Sequence, residues 1–301
     1  VFRSGKESGF LAGADLKVIG TLSTAEAAQE ICWAGQGLMQ RLASLRIPTV
    51  AIIRGVCLGG GLEFALACKY RIVVDDPRTK LGLPAVELGL MPGWGGTQRL
   101  PRLIGLSASL PMLLTGKKVG AKDAAKIGLA DVVCRPEEVD SQLAGLLDMH
   151  ESGNPVANYQ EDASFKLGQP LFRLFGATGK HLHRVGLLSW MKDHTWPGQW
   201  LVEKVAQRGM KSNAAHYPAL EAIMRAVTAG LNTRTDRGYA VEREEFGKLL
   251  MTEAHRSLLG LFFQRERARK AETWVRGTGS KPRRIRKVGV LGGGVMGAGI
   301  A

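Results

Sequence analysis

Two glycine turns and one glutamate combine residue types suited to chemistry at a carbon next to a carbonyl. The first turn is Ala12-Gly13-Ala14-Asp15-Leu16 and the second is Gly59-Gly60-Gly61-Leu62-Glu63. Glycine has no Cβ, so two backbone N–H groups can aim at one spot without side chains in the way. Glycines opening a helix also offer the positive end of its dipole. Such donors can hold a developing enolate oxygen, each contributing about 3–4 kcal/mol in a transition state. Glu63 falls in the first turn of that helix, where a carboxylate can move a proton on or off carbon. Taken singly, either turn serves equally well for close backbone packing.

A third glycine cluster lies near the other end. Gly292-Gly293-Gly294-Val295-Met296-Gly297 follows the apolar run Val288-Gly289-Val290-Leu291 and precedes Ala298-Gly299-Ile300-Ala301. This is a G-x-G-x-x-G pattern between a buried strand and a helix, the context of a dinucleotide-binding turn. Gly292 would make the tight turn, Gly294 would admit a pyrophosphate and Gly297 would let the helix pack closely. The acidic residue that grips the ribose is expected about 20 residues later, so the residues do not decide between NAD and NADP.

The surrounding pattern supplies elements for these turns. Residues 1–3 read as the middle of a strand, and both ends of the chain read as cut. Thr24 and Glu26 open a helical stretch that Pro48 ends. Residues 49–53 and 70–74 are β-branched, buried-strand runs. Residues 62–67, 107–114 and 121–127 have helical spacing, with Gly128 as a C-terminal cap. Residues 81–96, rich in Gly and Pro, are expected as loop and short turns. Strand alternating with helix predicts an α/β arrangement. The expected organisation is a core over 1–152, a helical extension and connector over 153–275 and a basic linker over 276–286. A nucleotide-binding unit starts at 287–301. Within the connector, residues 217–231 carry an apolar stripe through Leu220, Ile223, Met224, Val227 and Leu231.

Composition removes several classes. The net charge is +14 over 301 residues, yet no zinc-finger spacing, RNP-like aromatic motif or KH loop accompanies it, so no nucleic-acid partner is expected. The same field would draw a ligand with several phosphates. No charge-free apolar run is long enough for a transmembrane helix. Four scattered cysteines with no CxxC pair suit reduced thiols and a cytoplasmic location. His181 and His183, two apart on a helix, do not share a face, and no metal site is expected.

The core motifs resemble the crotonase (enoyl-CoA hydratase/isomerase) superfamily. The resemblance runs from Phe10–Leu16 through Gly59–Glu63 to Leu90-Met91-Pro92-Gly93-Trp94-Gly95-Gly96-Thr97-Gln98-Arg99-Leu100-Pro101. It continues through Leu114-Thr115-Gly116 and the run from Ala124 to Asp131. It implies a ββα superhelix, N-terminally truncated, and an acyl-CoA thioester as substrate. The oxyanion donors would be the N–H groups of Ala14 and Gly60, and Glu63 would handle the attacking water. Asp15, Gly61, Gly93 and Trp94 would border the substrate, Trp94 either lining an acyl pocket or simply packing.

The run from Leu291 to Ala301 resembles the opening of 3-hydroxyacyl-CoA dehydrogenases, which use NAD and begin with a Rossmann fold. With His216-Tyr217-Pro218-Ala219, Glu244-Glu245-Phe246-Gly247 and residues 258–263, the chain is similar to multifunctional fatty-acid β-oxidation enzymes of the α-subunit type. That implies hydration of 2-trans-enoyl-CoA followed by NAD-dependent oxidation, in a complex with a thiolase.

One position departs from the superfamily pattern. Gly82-Leu83-Pro84 is followed by Ala85, where hydratases carry a second glutamate. Glu87, two residues on, is expected on the solvated surface. Three readings remain: a hydratase working through Glu63, an isomerase or weakened hydratase, and a module that binds acyl-CoA without turnover.

Overall fold

The computed structural model describes residues 1–6, 9–152, 200, 204, 217–231 and 235–269. Helix and strand alternate as the sequence predicts, but the strands form two sheets. Strands β1 (Phe2–Arg3), β3 (Val50–Ile53), β5 (Tyr70–Val74) and β7 (Val132–Cys134) make a parallel sheet in the order β1-β3-β5-β7. Strands β2 (Gly9–Leu11), β4 (Val56–Leu58) and β6 (Lys80–Gly82) make a second parallel sheet in the order β2-β4-β6. The chain repeats one unit: a strand in the first sheet, a strand in the second, then a helical segment. After β1 and β2 come α1 (Leu16–Thr21) and α2 (Ala25–Ala43), and after β3 and β4 comes α3 (Gly60–Ala67). After β5 and β6 come a 3-10 turn (Pro84–Leu88), then α4 (Gly96–Ile104), α5 (Leu106–Thr115) and α6 (Ala121–Lys126).

Period-two patterning explains how the first sheet is covered. On β3, Ala51 and Ile53 face a large core with Leu62, Leu81 and Leu113. Val50 and Ile52 face a smaller one with Leu146 of α7 (Val139–Glu151). Side chains alternate across a strand, so a continuous apolar run marks a sheet covered on both faces.

Helix ends follow their capping residues. Thr24 accepts from the Ala27 N–H at the start of α2, which satisfies an otherwise orphaned donor. Gly128, at φ +80°, takes the left-handed conformation just past α6.

The chain divides into two compact units, Val1–Leu261 and Phe262–Ala301. The first includes α8 (Pro218–Leu231) and α9 (Thr235–Leu250), from the stretch expected as connector. Ala219, Ala222, Ile223, Ala226 and Val227 of α8 are buried in the main core. Ile223, Met224 and Val227 of the predicted apolar stripe are buried, and alanines widen it. A further helix, α10, spans Glu253–Arg269; in the second unit the Phe262 and Phe263 rings meet edge to face at 5.6 Å. The G-x-G-x-x-G turn, the basic linker and His181, His183 and His194 lie outside the described residues.

Candidate functional site

Parallel pairing of β2 with β4 brings the two glycine turns together, because each turn follows the end of its strand. A Cβ on Gly13, at φ +98°, would lie 3.3 Å from the Gly60 nitrogen and 3.2 Å from the Leu58 oxygen. A Cβ on Gly61 would fall 2.2 Å from the Leu11 carbonyl oxygen, far inside contact distance, so only glycine permits this approach. Gly59 adopts φ +53° and turns the chain from β4 into α3. Gly60 opens α3 with no side-chain cap, and the first N–H groups of a helix have no intrahelical acceptor. Ala14 follows Gly13 directly and is half-buried against the core. The Asp15 carboxylate caps α1 by accepting from the Lys17 N–H at 2.9 Å, which sets the course of the chain just after Ala14.

Glu63 sits in the first turn of α3 and is buried. Its Oε1 accepts from the Trp94 N–H at 2.7 Å and the Gly96 N–H at 2.8 Å. Both bonds fall on Oε1, so Oε2 keeps its lone pairs for a water or a carbon-bound proton. A second buried carboxylate, Glu242 of α9, grips the same turn from its other side. Its Oε1 accepts from the Gly95 N–H at 2.6 Å and Gln36 Nε2 at 2.9 Å; its Oε2 accepts from the Thr97 N–H at 3.1 Å and the Thr97 hydroxyl. Burial pushes the Glu63 carboxyl up to about 8, and the Glu242 charge pushes the same way. The two N–H bonds and Arg99 oppose this shift. Burial and the same two acids hold the Cys32 thiol far above its ordinary range.

The Trp94 indole packs between α2 and the start of α3. It fills the space over two glycines: a Cβ on Gly35 of α2 would lie 2.2 Å from its Cδ1, and one on Gly60 would lie 2.5 Å from its Cζ3. The ring's six-membered edge lies against Gly60, the residue expected to donate to the oxyanion. Gly93 lies at the back of the turn, where a Cβ would meet the Cys32 sulfur at 2.7 Å.

Ala85 stands in the 3-10 turn after β6 and packs half-buried against the main core. Glu87 is exposed, and its carboxylate is engaged by Lys118 Nζ at 3.0 Å. This is the solvated position expected for it.

The structure thus brings together Ala14, Gly60, Gly61, Glu63, Gly93 and Trp94. Sequence reasoning missed Gly35, Gln36 and above all Glu242. The available signal was its register: Glu242 shares a helix face with Phe246 and Leu249, four and seven residues on, both buried. An acid on an apolar stripe is a buried acid, but its neighbours Arg243, Glu244 and Glu245 make the segment read as a solvated face. Among the described residues no cluster of His, Cys, Asp and Glu could hold a metal ion.

A parallel ββα superhelix of two sheets, with two glycine turns meeting at a buried glutamate, defines a chain of the crotonase fold. Residues 1–160 match the family model described as enoyl-CoA hydratase/isomerase, and the chain belongs to that family. The fatty acid oxidation complex subunit alpha of Vibrio campbellii (strain ATCC BAA-1116) is 39% identical over 302 residues. The match covers 100% of this chain and 38% of that protein, so the chain spans well under half the length of this relative. Two solved structures share the fold. A carnitinyl-CoA dehydratase from Mycobacterium thermoresistibile has a TM-score of 0.56 and 20% identity, covering 86% of this chain and 74% of that one. Human mitochondrial delta3-delta2-enoyl-CoA isomerase has a TM-score of 0.53 and 20% identity, covering 89% and 80%. No described helix is long and apolar enough to cross a membrane.

Proposed function

We propose that this domain adds water to a 2-trans-enoyl-CoA thioester, with Glu63 as the proton carrier. The observation that carries the reading is the placement of Glu63: buried, three residues past Gly60, with Oε1 held by two N–H groups and Oε2 unspent. Water adds to C3 as Glu63 takes its proton. The C2–C3 electron pair moves toward the thioester oxygen, where the Ala14 and Gly60 N–H groups stabilise the enolate. The enolate then collapses, C2 takes the proton back from Glu63, and 3-hydroxyacyl-CoA leaves. A carboxyl raised to about 8 holds and releases a proton near neutral pH, which suits a group that must both accept and return one. Asp15, Gly61, Gly93 and Trp94 shape the walls that hold the thioester.

In the longer protein, the product would pass to oxidation at its 3-hydroxyl carbon. The name of the Vibrio relative and the glycine run at Gly292, Gly294 and Gly297 support this step. Those glycines would hold the pyrophosphate of NAD, which supplies a hydride acceptor when bound. The same resemblance supports a thiolase subunit as partner and a cytoplasmic location.

Ala85 favours a second reading. An isomerase needs only one carboxyl, which removes a proton from one carbon of a 3-enoyl-CoA and returns it to another. The deciding experiment offers the full chain crotonyl-CoA and a 3-enoyl-CoA separately. Hydration lost in Glu63→Gln supports the first reading. Isomerisation without hydration supports the second, and tight acyl-CoA binding without turnover overturns both.

A further inference from the structure

We infer that Glu242 is a positioning residue for the reaction at Glu63, clamping the 94–97 turn from behind so that its remaining N–H groups present themselves to Glu63. The inference rests on the reading of Glu63 as proton carrier. The bonding alternates along the backbone: Trp94 and Gly96 donate to Glu63, while Gly95 and Thr97 donate to Glu242. Consecutive N–H groups thus point to opposite sides of the turn, and each acid holds one alternate pair. Without Glu242 the turn loses three of the bonds that hold its shape, counting the one from the Thr97 hydroxyl.

Glu242 cannot itself replace the acid missing at Ala85. Its two oxygens already accept from four donors: the Gly95 and Thr97 N–H groups, the Thr97 hydroxyl and the Gln36 amide. The Thr97 hydroxyl accepts from Gln98 Nε2 at 2.9 Å, which leaves its proton for Glu242. Burial holds the Glu242 carboxyl above its ordinary range, and these four donors oppose that rise. They occupy the roughly four lone-pair sites of a carboxylate, so a proton could enter only by breaking one of the bonds. Glu242 is fully buried, with 0% of its surface exposed. Its place is therefore behind the turn, holding the backbone through accepted hydrogen bonds.

The environment of Glu63 sets the direction of the electrostatic effect. Glu63 faces Glu242 and Tyr239 from α9, Arg99 from α4 and Cys32 from α2, with Arg243 near Cys32. The Glu242 charge raises the Glu63 carboxyl by more than either N–H bond lowers it, so removing that charge lets Glu63 ionise more readily. The activity limb that follows Glu63 ionisation then moves to lower pH.

The experiment measures crotonyl-CoA hydration across pH for the full chain and for Glu242→Gln, Thr97→Val and Glu63→Gln. Glu242→Gln is expected to lower kcat by about tenfold to a hundredfold, the scale of a misplacement near 1 Å, with KM changed less than about twofold and the limb shifted to lower pH. Thr97→Val loses the hydroxyl's bond to Glu242 and the one it accepts from Gln98, but keeps the backbone bonds to Glu242, and should move kcat in the same direction by less; it decides the matter if Glu242→Gln does not fold. A wild-type kcat and profile in both variants overturns the inference, and so does a lower kcat with an unmoved limb, which marks a merely structural role. An active Glu63→Gln instead overturns the reading of Glu63, so the two failures are told apart.

Discussion

Glu63 and Glu242 accept hydrogen bonds from alternate N–H groups of one turn, the first from Trp94 and Gly96, the second from Gly95 and Thr97. The two acids come from helices far apart in sequence, and each is buried. Their shared turn sits at the N-terminus of α4, where the helix dipole favours negative charge. That dipole and the four N–H bonds offset part of the cost of burying two acids side by side.

Raising the Glu63 carboxyl from 4.5 to about 8 makes stability depend on pH. Between those values the folded chain holds a proton that the unfolded chain releases. Stability therefore falls as pH rises through this window and levels off above it. Thermal melts of Glu63→Gln should lack this slope, and the variant should gain on the wild type as pH rises. Its turnover of enoyl-CoA should drop by about 10²–10⁴-fold. Parallel melting curves at pH 5 and pH 8 would contradict the raised carboxyl.

Ala85→Glu should restore a second acid. Ala85 is half-buried on the turn after β6, and the nearest acid in sequence, Glu87, is paired with Lys118 instead. If the missing group limits hydration, crotonyl-CoA turnover should rise by at least about a hundredfold. An already fast natural form with no gain on substitution would show that Glu63 alone suffices.

Gly35 and Gly37 lie on one helix but in different surroundings. A Cβ on Gly35 would strike the Trp94 ring at 2.2 Å, whereas one on Gly37 meets nothing within 4 Å. Gly35→Ala should displace the indole, changing tryptophan fluorescence and lowering activity. Gly37→Ala should leave activity unchanged and add about 0.5–1 kcal/mol of stability through helix propensity. Equal effects of the two substitutions would remove Trp94 from the site.

The buried pair Arg71 and Asp131 fastens β5 to the chain entering β7. Arg71 Nη2 lies 2.5 Å from Asp131 Oδ2, and both side chains are 4% exposed. Arg71 also donates to the Leu129 and Cys68 carbonyls. Asp131→Ala would leave that cation buried without its counter-charge and should cost about 3–5 kcal/mol. Urea titration would measure this loss; a cost under about 1 kcal/mol would show that the carbonyls suffice.

Much of the first sheet was legible locally. Residues 49–53 and 70–74 are mostly apolar and β-branched, which suits strands covered on both faces, and they became β3 and β5. The second sheet was less legible: β2, β4 and β6 are three residues each, too short for a periodic pattern, and glycines begin or end two of them. Glycine turns and a glutamate three residues past Gly60 were readable because their chemistry is local to a few positions. By itself the sequence determined the family resemblance, the two glycine turns and the residue missing at Ala85. Only the tertiary structure decided that Gly35 makes room for Trp94 and that Glu242 shares a turn with Glu63. Those relations join residues 59 and 179 positions apart, and no propensity or spacing reports a contact made by packing one helix against another.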